Sequence, residues 1–138
     1  MKRVLFFLLI SLSIASCRGP EGPQGYGTNW KIINLTVNAN DWSYHTINGL
    51  NGYYSCHFSM PEITPFVYSD GSVVAYLVNN GTQQPLPFVY HNQDANGHLW
   101  TETTDFDYSV GGMNVYFTNS DFATVAPKAM NFRVALMW

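Results

Sequence analysis

From Trp30 to Trp138 the chain nowhere sustains an apolar helical period over ten residues, and turn-forming residues interrupt it every few positions. Helices need a stripe recurring at 3.6 residues, whereas short runs of period two between Gly, Pro, Asn and Asp read as strands. Tyr53–Met60 (YYSCHFSM) has the cleanest alternation, with Tyr54, Cys56, Phe58 and Met60 on one face and Tyr53, Ser55, His57 and Ser59 on the other. That pattern predicts a strand buried on one side only.

The remaining segments follow the same logic. Trp30–Val37 is β-branched-rich and closes on Asn38-Ala39-Asn40-Asp41; Trp42–Ile47 follows, and Asn48–Gly52 supplies glycines for a turn. Pro61 ends the alternating strand, and Pro61–Gly71 has room for one short helical turn. Ser72–Asn79 (SVVAYLVN) is apolar on both faces, which predicts a place inside a sheet, and Asn80-Gly81 ends it. Pro85 and Pro87 remove amide donors around Leu86–His91, as expected of an edge strand. Asp94–Gly97 turns the chain into His98–Thr104, which can run on to Tyr108. Met113–Thr118 alternates again, Ser120–Lys128 reads as a loop, and the last strand, Ala129–Trp138, puts Met130, Phe132, Val134, Leu136 and Trp138 on one face. The fold expected is all-β: a single antiparallel β-sandwich of about eight short strands over residues 30–138. No fixed repeat period favours a propeller or solenoid.

Before this domain stand two segments of different character. Residues 1–16 have a cationic start at Lys2 and Arg3, then a short apolar run from Val4 to Leu12, too short for a membrane span. Ala15 and Ser16 lead into Cys17, and the order predicts a secretory signal. Ile14-Ala15-Ser16-Cys17 resembles a bacterial lipobox, which implies lipidation of Cys17. Residues 17–29 carry two Gly-Pro-X triplets, Gly19-Pro20-Glu21 and Gly22-Pro23-Gln24. Two triplets are too few for a collagen triple helix. An extended tether is expected instead, and at about 3 Å per residue it reaches roughly 30 Å.

Taken with the Asn29-Trp30 start of the domain and its Phe132–Trp138 ending, the chain resembles the small collagen-like lipoproteins of gut Bacteroidetes. The resemblance implies a lipid anchor in the bacterial cell envelope, at the outer membrane, with the periplasmic and surface faces both open. It implies an all-β domain and no particular activity.

Composition narrows the partners. Six Lys and Arg, two of them in the signal, stand against nine Asp and Glu with no basic run, so a nucleic-acid partner is not expected. With Cys17 lipidated, Cys56 has no partner in the chain and is expected to be a small buried hydrophobe. There is no nucleophile elbow, P-loop or dinucleotide fingerprint, so the domain is read as non-catalytic.

Three constellations offer chemistry. Asn92, Asp94 and Asn96 before Gly97 match the start of a calcium loop, but the twelfth position is Thr103 rather than Glu. The competing reading is a plain hairpin turn, without a cofactor. Asp105 and Asp107 share a strand face and could serve a glycoside hydrolase, although both would lie on one wall. His91 and His98 flank the 92–97 turn and could face each other as a two-histidine metal site. Aromatic residues make up 16% of the chain against 11% charged, more than one face of core requires. Trp42, Tyr44, Tyr53, Tyr90 and Trp100 fall on polar faces or beside turns, where they could form platforms for a glycan or peptide. The alternative partner is another envelope protein, with the domain as an assembly component.

Overall fold

The computed structural model describes residues 27–49 and 51–138. The signal segment, Cys17 and all of the tether before Gly27 lie outside the described residues.

Among the described residues, nine strands form two antiparallel sheets, and one short helix lies between the third and fourth strands. In chain order they are β1 (Trp30–Val37), β2 (Ser43–Ile47), β3 (Asn51–Ser59), α1 (Pro65–Asp70), β4 (Ser72–Asn79), β5 (Thr82–Pro85), β6 (Phe88–Gln93), β7 (Leu99–Ser109), β8 (Gly112–Asn119) and β9 (Met130–Met137). One sheet has the order β1-β9-β4-β5 and the other β2-β3-β8-β7-β6. This is the all-β sandwich expected, with one strand more than the alternation announces.

The hydrophobic alternation decides which faces meet. Phe132, Val134 and Leu136 of β9 face Met113, Val115 and Phe117 of β8 across the interior, and all are 5% exposed or less. Val37, Val73 and Ala75 complete one wall, and Tyr54 and Met60 the other. Cys56 is a free thiol, partly buried against this core. As expected, β4 lies inside its sheet and β6 at an edge.

Turn chemistry sets the registers. Asn80 and Gly81 both have positive φ, 48° and 77°, and join Asn79 to its partner Thr82 in a two-residue hairpin. Such turns match the twist of paired strands. This hairpin creates β5. One end of the sandwich is closed by α1, whose first turn holds Pro65 and whose N-cap Thr64 accepts a hydrogen bond from Val67 N–H at 3.2 Å. Val67 and Ile63 are buried there, and Gly111 N–H donates to the Ile63 carbonyl at 2.8 Å.

The two outer faces differ. That of the four-stranded sheet carries Trp30, Ile32, Val74, Tyr76, Val78 and Met137, with Arg133 its only charged side chain among the described residues. That of the five-stranded sheet is polar, with histidines, aspartates, threonines and tyrosines on alternate positions.

Candidate functional site

On the side bounded by β5 and β6 the sheets stand apart, and the space between their inner faces is a cleft in two parts. The first part, about 680 Å³, lies between the start of β7 and the 121–128 loop, with Trp100 and Asn119 in its wall. The second, about 530 Å³, continues beneath β6 to the β4–β5 hairpin, with Tyr90 and Gln84 in its wall. Glu102, Phe117, Lys128 and Met130 line both. Both volumes fall within the range of ligand pockets, about 300–1,000 Å³.

Strand pairing brings the polar and aromatic groups together. Tyr90 lies opposite Glu102, and Asn92 opposite Trp100, so the four share one face of the β6–β7 pair. The Trp100 indole N–H makes a long hydrogen bond to Glu102 Oε1, 3.5 Å. Tyr90 is 55% exposed, leaving a ring available at the rim.

Three buried amide atoms have no hydrogen-bond partner: Gln84 Oε1 and Asn119 Oδ1, on residues that line the cleft, and Asn92 Nδ2. Asn119 is 7% exposed, and its Nδ2 donates to the Ala123 carbonyl at 3.4 Å, which leaves the oxygen unmatched. A buried polar atom without a partner costs about 1–3 kcal/mol, so most such atoms in folded proteins are paired.

The five aromatic candidates do not form one platform. Tyr90 and Trp100 line the cleft. Trp42 is a correction: it precedes β2, is 8% exposed and packs against Phe117 with ring centroids 6.4 Å apart. Its indole N–H donates to the Lys128 carbonyl at 3.4 Å, so the ring belongs to the core beneath the loop. Tyr44 packs against Tyr54 with ring centroids 5.0 Å apart and the rings tilted by 51°, and its hydroxyl end lies directly over Gly52, where a side chain would have to displace it. Tyr53 lies on the opposite, outer face, between His45 at 5.1 Å and Tyr116 at 6.0 Å.

The 92–97 segment closes a hairpin loop by its own hydrogen bonds. Asp94 Oδ1 accepts from Asn96 N–H at 2.8 Å and His98 N–H at 2.9 Å, and Oδ2 meets the His98 ring at 2.9 Å. The backbone bond from His98, then its side-chain bond, holds the Asp94 carboxyl below its usual range. Asn92 belongs to β6, opposite Trp100, while Asn96 is exposed in the loop. Among the described residues no three His, Cys, Asp or Glu side chains converge as metal ligands. His91 pairs with Thr101, not with His98, because His98 lies in the five-residue loop between β6 and β7.

Asp105 and Asp107 do share the outer face of β7. Asp107 accepts from Asn114 Nδ2 and from the Tyr116 hydroxyl, each at 2.7 Å, and Asn114 Oδ1 meets the His57 ring at 2.9 Å. Desolvation, then the charge of Asp107, raises the Asp105 carboxyl. Burial, then the bond to Asp107, pushes the Tyr116 phenol up to about 12. Both carboxylates rise from the same strand, which places them on one wall.

Gln84, Asn119 and Lys128 escape the sequence reading. Asn119 left a signal, since it continues the inward series Met113, Val115, Phe117 as a polar residue on an apolar stripe. Gln84 and Lys128 left none, because their positions depend on a four-residue strand and an irregular loop. Set against protein-family models, curated proteins and solved structures, the chain matches none.

Proposed function

We propose that this protein is an exported lipoprotein of the bacterial cell envelope whose β-sandwich is a non-catalytic carbohydrate-binding module. The observation that carries the reading is the cleft itself, which presents the rings of Trp100 and Tyr90 beside the side chains of Asn119, Gln84 and Glu102. Sugar rings offer apolar faces to aromatic side chains and hydroxyls to amide and carboxylate groups, so one ligand class suits both kinds of lining. Residues 1–17 support the placement: a lipid on Cys17, with the Gly/Pro tether, would hold the module off an outer-membrane surface.

A glycan array probed with the full chain in detergent tests the binding. Reproducible hits that Trp100→Ala reduces at least about tenfold, with an unchanged melting curve, support it. Hits unaffected by this substitution would move the site elsewhere. Mass spectrometry of wild type and Cys17→Ala tests the anchor, with a diacylglyceryl increment expected only on the former.

The second reading is an assembly component that contacts other envelope proteins. It is favoured by the outer face of the four-stranded sheet, where Ile32, Val74, Tyr76, Val78 and Met137 are partly exposed around a lone Arg133. Crosslinking in intact cells from a photoreactive residue at Val74 distinguishes it, since a pure glycan binder yields no discrete protein adduct there.

A further inference from the structure

The two halves of the cleft are built alike, and this bears on the length of the ligand. Apart from the shared Phe117, the first half has the ring of Trp100 beside the amide side chain of Asn119; the second has the rings of Tyr90 and Phe88 beside that of Gln84. Four side chains are common to both, the charged Glu102 and Lys128 and the apolar Phe117 and Met130. A single small pocket would have no use for this duplication. Two neighbouring positions, each with a stacking surface and an amide side chain, suit a polymer of repeated, similar units.

Charge restricts the ligand further. Asp94, Glu102 and Asp121 line the cleft against one lysine, Lys128, and His98 already pairs with Asp94. An oligomer carrying a carboxylate or sulfate on each unit would meet net repulsion in a partly desolvated channel, where charges are weakly screened.

Resting on the carbohydrate reading, we infer that the cleft is a continuous trough for the interior of a linear, uncharged oligosaccharide, with one sugar against Trp100 and Asn119 and another against Tyr90 and Gln84. Glu102 and Lys128 hold the stretch between them. Affinity therefore rises with chain length until both halves are filled, and then stops rising. The ends of the chain contribute little.

Calorimetric titration of the full chain in detergent with oligomers of two to six units tests this, using β-1,4-linked glucose, N-acetylglucosamine and xylose, and galacturonate as the charged series. For at least one neutral series, the hexamer is expected to bind about tenfold or more tighter than the dimer, with galacturonate weaker at every length. Tyr90→Ala and Trp100→Ala should each bring the hexamer down toward dimer affinity, with thermal midpoints unchanged. Glu102→Gln should narrow the gap between neutral and charged series. Dimer and hexamer binding equally well would overturn the trough while leaving a carbohydrate site in place. Preferential binding of galacturonate would overturn the charge selection. Failure of every oligomer to bind, alongside a blank glycan array, would remove the carbohydrate reading itself and this inference with it.

Discussion

Asp105 shows how much a single side chain can depend on its row in a sheet. It projects from β7 beside Asp107, whose carboxylate is already engaged by Asn114 and Tyr116. Partial burial and the neighbouring charge raise its pKa in the folded state, so folding favours the neutral acid. A raised folded pKa gives a stability contribution present below the unfolded value of 3.8 and lost as pH rises through the folded value. Asp105→Asn should consequently raise the thermal midpoint at pH 7, and the gain should vanish below that window. Calorimetry at pH 3 and pH 7 checks it; an equal gain at both would mean that charge is not the cause. Strand alternation alone places both aspartates on one face, and it did so from sequence. Which one is tied down depends on Asn114 and Tyr116 of the neighbouring strand, and no local pattern reveals that.

At the scale of elements, the clearest contrast is between α1 and β5. Pro61–Gly71 had room for one helical turn, and the structure starts it at the Thr64 cap, with Pro65 in its first turn, and ends it at Gly71. Thr64→Ala should cost about 1 kcal/mol, the usual loss of a hydroxyl cap. Gly71→Ala should cost more, because a Cβ there would lie 2.6 Å from the Met137 carbonyl oxygen and 2.7 Å from that of Val67, both backbone atoms. Urea titration of the two variants ranks them, and the reverse order would mean that the junction relaxes easily. β5 carries no such signal. Thr82–Pro85 (TQQP) is short and polar and ends in proline, so nothing in its own residues asks for a strand. It pairs because the Asn80-Gly81 turn folds it back onto β4, and that pairing brings Gln84 to the trough.

For the whole molecule, the central strands β8 and β9 bind the two sheets into one unit. Phe132 is 1% exposed and among the largest fully buried side chains. Phe132→Ala should destabilise the domain by about 3–5 kcal/mol, the range for removing a core phenylalanine. Because both sheets share this core, intrinsic fluorescence and far-UV circular dichroism should still lose signal in one coincident transition. Two separated transitions would show that the sheets fold independently. The trough belongs to this scale as well. It exists only where the sheets fail to close, with β5, β6, β7, β8 and the 121–128 loop each contributing a wall.

By itself, the sequence determined the class of fold, because period-two alternation and Gly, Pro and Asn turns are local properties that hold whatever the chain packs against. It also determined which strand faces are apolar, the edge position of the proline-flanked strand and the interior position of β4. Tertiary structure alone decided which aromatic residues face a cleft. Trp42, Tyr44, Tyr53, Tyr90 and Trp100 look alike in sequence, yet one is core, two serve other parts of the sheets and two line the trough. The physical reason is that alternation assigns a residue to a face, while its surroundings depend on how two sheets with unequal edges lie over one another.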